Sequence, residues 1–151
     1  MRILLVEDHT DLRGVMKTML EVHGGWEVCG EAVDGIEAVK KADELKPDLI
    51  IMDLSMPKMD GIQASQLIFA SAPDAPILLY TNYELPPDEI SRVKKLGVSH
   101  VLTKGGPPDE LLRTVEALHL QAVAKAIERA GQASQVGTLP VEDIVLEPEG
   151  S

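Results

Sequence analysis

Five short apolar runs, each followed by a stretch with helical spacing, constrain this chain more than any other feature. The runs are Ile3–Val6, Trp26–Ala32, Leu49–Met52, Ile77–Tyr80 and Val101–Leu102. A continuous apolar run is buried on both faces, as in a parallel sheet covered by helices. The second run only roughly alternates and the fifth is short, so both read as edge strands. Between the runs, Leu12, Val15, Met16, Met19 and Leu20 recur at i, i+3, i+4, i+7 and i+8, and Ala38, Ala42 and Leu45 follow the same spacing. "DGIE" at Asp34 and "DGIQ" at Asp60 place an aspartate at a helix N-cap with Glu37 or Gln63 three residues on, a variant of the capping box. Pro86-Pro87 and Pro107-Pro108 suit the first turns of two further helices. The pattern predicts a (βα) unit repeated five times, hence an α/β fold with an open, doubly wound parallel sheet. With strands 1 and 3 central, the strand order 2-1-3-4-5 fits.

The last helical stretch has no clear breaker from Pro107 to Ala130, and Leu111, Val115, Leu118, Ala122 and Ala126 keep a stripe. At 1.5 Å per residue it would run roughly 36 Å, long against a strand of about 17–20 Å. Either this helix outgrows the domain or it breaks near His119. The organisation expected is a domain over residues 1–120, an extension of the last helix over 121–130, and a flexible acidic tail over 131–151. That tail has four acids and no basic residue. Its apolar patch "VEDIVL" invites docking at a place the sequence does not specify.

Composition removes several classes of function. The net charge of −11 disfavours direct binding to phosphate backbones or anionic lipid. One cysteine, Cys29, rules out an intrachain disulfide framework, and a small buried strand residue is its simplest reading. The apolar run at the N-terminus is too short for a signal-peptide core, and no run approaches a membrane span. A cytoplasmic protein is expected. Aromatics make up 3% of the chain, so aliphatic residues must build the core.

In a doubly wound sheet, ligands bind beyond the carboxyl ends of the strands, where the strand order reverses. For order 2-1-3-4-5 that point lies between strands 1 and 3. Strand 1 runs into Glu7-Asp8 and strand 3 into Asp53, so three carboxylates converge. They repel one another unless a hard divalent cation sits among them, and Mg²⁺ with a phosphate is the common case. Strand 4 ends at Thr81, a hydroxyl donor, and strand 5 at Thr103-Lys104, a cation. A hydroxyl and an ammonium around a metal-bound carboxylate form an electrostatic cradle for a transferring phosphoryl group, with Asp53 as nucleophile. Singly, a strand-end Asp is usually a turn or cap residue and a strand-end Lys a solvated charge. The five positions at strand ends of one (βα)₅ chain carry the functional reading jointly.

The residues "LLVEDH" (Leu4–His9), "IIMDLSMPKMDG" (Ile50–Gly61), Thr81 and Lys104 resemble the receiver domain of two-component response regulators, over about residues 1–120. The resemblance implies a flavodoxin-like sheet. It further implies a phosphoacceptor at Asp53 and Mg²⁺ held by Glu7, Asp8, Asp53 and the backbone carbonyl of Ser55. Thr81 is then the switch hydroxyl and Lys104 the partner of the acyl phosphate. It implies a histidine kinase or phosphotransfer protein as donor, with slow self-dephosphorylation rather than metabolic catalysis. Ser55 and Tyr83, two residues after Asp53 and Thr81, stand where family members tune water's access to the acyl phosphate.

Two departures bear on the switch. Val101 stands three residues before Lys104, where the family often has an aromatic that moves with the threonine; Tyr80 and Tyr83 flank Thr81 without obviously replacing it. "KGGPP" follows the lysine where many receivers have proline, a feature similar to receivers attached to helix-turn-helix output domains. Only 21 residues follow Ala130, too few for such a domain. Signalling is therefore expected through a downstream protein target or a homodimer, with no nucleic-acid or membrane binding by this chain. Two alternatives stay open: the receiver fragment of a DNA-binding transcriptional regulator, and a non-phosphorylated interaction scaffold. An aspartyl phosphatase of similar fold would want D-x-D, and here the run is Asp53-Leu54-Ser55.

Overall fold

A computed structural model describes the backbone of residues 1–150 and the side chains of residues 1–132. Its five strands are β1 (Arg2–Val6), β2 (Glu27–Ala32), β3 (Leu49–Met52), β4 (Ile77–Thr81) and β5 (His100–Thr103). They form one sheet in the order β2-β1-β3-β4-β5, each strand parallel to its neighbours. The helices are α1 (Thr10–Thr18, continued by a π turn over Met19–His23), α2 (Gly35–Leu45), α3 (Gly61–Ser71), α4 (Pro87–Lys95) and α5 (Pro108–Gly150).

Period-two alternation along the strands sorts their side chains to two faces. Ile3, Leu5, Leu49, Ile51 and Leu78 pack against Met16 and Leu20 of the α1 segment and Leu111, Val115 and Leu118 of α5. Leu4, Val6, Ile50, Met52 and Ile77 pack against Ala38 and Ala42 of α2 and Ala64 and Ile68 of α3. Leu79 continues that second face under Val93 of α4. All four residues of β3 are buried, as its unbroken apolar run requires. The β2 residues before Ala32 are half-buried or exposed, as suits an edge.

Helix ends follow their local chemistry. Asp60 accepts from the Gln63 amide and Gln63 answers to the Asp60 amide, a complete capping box. Asp34 caps α2 through the Glu37 amide, but the Glu37 side chain pairs with Lys41 at 3.2 Å instead of returning to the cap. Lys46 ends α2 in a left-handed conformation, and Arg2 Nη1 donates to the carbonyls of Leu45 and Lys46 at 2.6 and 3.1 Å. An end that would leave orphan carbonyls is thus stitched to the start of β1.

The stripe expected on α1 is wrong at one position. Val15 is 59% exposed, because the buried face centres on Met16 and Leu20 and Val15 lies about 100° round from Met16. On α5 the buried stripe ends at Leu118; Ala122 is half-buried and Ala126 exposed. The chain divides into two compact units, Met1–His119 and Leu120 onward. In the second unit Leu120, Val123 and Ile127 are exposed. The helix shows no break at His119 and takes in both the expected extension and the backbone of the segment read as a flexible tail. The side chains of that segment, with the "VEDIVL" patch, lie outside the described residues. Cys29 is half-buried, not fully buried; its Sγ donates to the Ile3 carbonyl, and burial pushes the thiol's pKa up, away from reactivity.

Candidate functional site: a carboxylate cluster with one ammonium

Backbone ladders carry the site residues to one end of the sheet. The Asp53 amide donates to Val6 O at 3.0 Å, the Glu7 amide to Ala32 O at 3.0 Å, and the Lys104 amide to Thr81 O at 2.7 Å. Asp53 and Glu7 thereby extend β3 and β1, and Lys104 is locked beside the end of β4. Glu7 is 2% exposed, Asp53 7% and Thr81 0%, so three polar groups sit at the lip of the core. Asp8, next to Glu7, is exposed.

Glu7, Asp8 and Asp53 each bring a carboxylate oxygen to a common point, within 4.8 Å of one another. Lys104 Nζ donates to Glu7 Oε1 at 2.7 Å and lies 3.5 Å from Asp53 Oδ1. The second Glu7 oxygen accepts from the His9 amide at 3.2 Å. Burial chiefly, and the Glu7 charge next, raise the Asp53 pKa above the ordinary carboxylate range, while Lys104 pulls it down. When all three acids are ionised, one ammonium leaves two negative charges uncompensated. Two charges and an all-oxygen donor set suit one hard divalent cation, so these residues fit Mg²⁺.

A pocket of about 410 Å³ opens over the cluster, lined by Glu7, Asp8, Asp53 and Lys104 together with Ser55, Tyr83, His9, Leu12 and Asn82. Ser55 and Tyr83 thus border the same space as Asp53. Thr81 lies beneath, its Oγ1 accepting from the Tyr83 amide at 3.1 Å. All six site residues read from the sequence are brought to this end of the sheet.

Three participants were not legible as such. His9 is the N-cap of α1, its Nδ1 accepting from the Leu12 amide. Arg13 Nη1 donates to the Glu7 carbonyl at 2.7 Å while its Nε donates to Glu31 at 2.9 Å, which ties α1 to the ends of β1 and β2. Tyr80 places its ring 5.7 Å from Lys104 Nζ. Arg13 is the first cation after the acid pair; His9 follows that pair directly and Tyr80 precedes Thr81, but adjacency alone does not give these contacts. Val101, three residues before Lys104, is half-buried against the Leu79 cluster.

The loop after β3 is held tightly. The Gly61 amide donates to Leu54 O at 2.9 Å, and a Cβ on Gly61 would run into the Asp53 carbonyl. Gly61→Ala is therefore expected to shift the Asp53 loop and lower stability by about 2 kcal/mol, measured by urea unfolding. Gly14, at an exposed position inside α1 with open space where a methyl would sit, sets the contrast. Gly14→Ala is expected to stabilise by about 0.5–1 kcal/mol. Equal effects at the two sites would deny that the loop's packing is tight.

The fold and the site together define a doubly wound domain with three carboxylates and an ammonium gathered at its switch point. The model of the response regulator receiver domain family matches residues 3–116, and the chain belongs to that family. It is 36% identical over 114 residues to the uncharacterized transcriptional regulatory protein YhcZ of Bacillus subtilis, covering 76% of this chain and 53% of that protein. The chain thus spans about half the length of the first curated relatives it matches. Among solved structures it is similar to a LuxR-family two-component response regulator from Aurantimonas sp. SI85-9A1, at TM-score 0.75 and 32% identity, covering 80% of this chain and 85% of that one. It is also similar to the receiver domain of the putative response regulator NarL from Mycobacterium tuberculosis, at TM-score 0.72 and 25% identity, over 78% and 94% of the two chains. No helix among the described residues is long and apolar enough to cross a membrane.

Proposed function

We propose that this chain is a phosphorylation switch that accepts a phosphoryl group on Asp53 from the phosphohistidine of a histidine kinase or phosphotransfer protein. The convergence of Glu7, Asp8 and Asp53 around Lys104 carries the reading. An Asp53 oxygen attacks phosphorus, the P–N bond to the donor imidazole breaks, and its electron pair stays on that nitrogen. Glu7, Asp8, Asp53 and the Ser55 backbone carbonyl would hold Mg²⁺, which when bound supplies positive charge to the phosphoryl oxygens. Lys104, already shared between Glu7 and Asp53, is placed to exchange a carboxylate oxygen for a phosphoryl oxygen. The Thr81 hydroxyl then follows, turning its O–H toward a phosphoryl oxygen, a donor role separate from its accepting from the Tyr83 amide. Both movements bias a two-state equilibrium that protein contacts read. The cytoplasm, where such donors work, is the compartment we assign.

The test is intact mass after incubation with Mg²⁺ and acetyl phosphate. One phosphoryl adduct is expected, absent with EDTA and located by proteolysis to the peptide holding Asp53. No adduct, repeated with a panel of histidine kinases, would leave an interaction scaffold in its place.

A second reading has its own support. The curated relatives include transcriptional regulatory proteins of about twice the matched length. On that reading the chain is the receiver part of a DNA-binding regulator, and sequencing the reading frame beyond Ser151 decides it.

A further inference from the structure

Lys104 has three neighbours within the site, and one of them is not an acid. Its ammonium meets Glu7 and Asp53, and the ring of Tyr80 lies 5.7 Å away by its centroid. The lysine side chain is 9% exposed, so water screens these contacts little. A cation within about 6 Å of an aromatic centroid is attracted by the ring's negative face, more so when desolvated. Tyr80 cannot wander: it is half-buried on β4 and packs against the core cluster containing Leu78, Leu111 and Val115. Burial raises the phenol's pKa, and although Lys104 pulls it down, the ring stays neutral at physiological pH. The charged site is thus bordered by a fixed, uncharged π surface.

We propose that Tyr80 is a positioning residue for the phosphoryl chemistry of Asp53, acting through Lys104. The inference rests on the phosphoryl-transfer reading above. Of the two carboxylates Glu7, at 2.7 Å, is nearer the ammonium than Asp53, at 3.5 Å. The ring supplies a third attraction that needs no hydrogen bond and leaves all three ammonium protons for oxygen partners. It holds Lys104 between Glu7 and Asp53, where a phosphoryl group on Asp53 will need it. The same ring joins the lysine to the α5 face of the core, since Leu111 and Val115 belong to the cluster it packs on.

The experiment compares rates of adduct formation from acetyl phosphate in wild type, Tyr80→Phe and Tyr80→Leu. Phenylalanines of increasing ring fluorination at position 80 complete the set. Fluorination drains the ring's negative face with little change in volume, so a packing role alone is insensitive to it. Tyr80→Phe is expected within about twofold of wild type, Tyr80→Leu about fivefold slower, and the fluorinated set graded between them. In the unphosphorylated chain, the Lys104 ε-methylene resonances should carry a ring-current shift that Tyr80→Phe keeps and Tyr80→Leu loses. If Tyr80→Leu fails to fold, the fluorinated set decides alone. Rates independent of fluorination, with a normal wild-type rate, overturn the proposal. A wild type that takes no phosphoryl group overturns the underlying reading first, and this proposal with it.

Discussion

Asp53→Asn is expected to abolish the phosphoryl adduct completely and, in EDTA, to raise the melting temperature. The first effect follows because an amide oxygen is a poor nucleophile that cannot carry the acyl phosphate. The second follows from where Asp53 sits. Burial and the neighbouring Glu7 charge raise its pKa in the folded chain, against the partial relief from Lys104. For an acid, a raised folded pKa means that ionisation works against the fold. The deficit is absent below the unfolded pKa, grows as pH rises, and is full above the folded pKa. Near pH 7 the asparagine variant should melt above wild type. The gain should close on acidification and shrink when millimolar Mg²⁺ compensates the carboxylates in wild type. A variant that melts below wild type in EDTA would mean that the ion pair with Lys104 outweighs burial and repulsion together.

Lys104→Met is expected to cost the fold more than any single substitution at the site. It keeps the length of the stem and removes the one ammonium in contact with Glu7 and Asp53, whose side chains are 3% and 10% exposed. Leaving buried carboxylates without their cation costs about 3–5 kcal/mol, a fall of roughly 10 °C in melting temperature at neutral pH in EDTA. Acid should narrow the gap, because protonating either carboxylate removes the repulsion that the lysine had masked. Mg²⁺ should narrow it by the same logic. Thermal melts across pH, with and without Mg²⁺, read all three effects. A Lys104→Met chain as stable as wild type would mean that the carboxylates are hydrated, not buried, in solution.

The sheet was legible because its signals are local. Leu49–Met52 is an unbroken apolar run that only a central parallel strand can absorb, and it appears with those limits. Asp34 and Asp60 announced two helices through cap chemistry that acts over three residues. The order of the strands, and so the meeting of Glu7, Asp8 and Asp53, followed from topology rules that hold for most (βα) chains. What escaped depends on side-chain directions across the fold. Val15 fits a helical stripe by spacing, yet rotation of α1 about its axis is set by what Met16 and Leu20 find to pack on. The Glu37 side chain chose Lys41 over the cap, a contest between two nearby partners that spacing cannot judge. Tyr80 lies 24 residues from Lys104 in sequence; their contact arises because β4 and β5 are neighbours with Tyr80 opposite Leu102. The family's aromatic position before the lysine is aliphatic here, and an aromatic touches the lysine from another strand.

The site residues do not stand on equally firm ground. Asp53 is fastened to β3, flanked on both sides by paired strands and buried at every residue. Lys104 hangs from β5, a border strand whose residues are half-buried or exposed. In mechanical terms the first stands on an anvil, and the second follows a lighter strand with its amide pinned to the Thr81 carbonyl. Packed interiors transmit strain, while lightly packed margins yield to it. A pull on Lys104 from the acidic cluster is expected to be taken up on the β4–β5 side of the sheet before the β3 end. If Asp53 takes a phosphoryl group, as proposed, the load falls on the packed centre of the sheet, and Lys104 leads from there to the lightly packed β5 border.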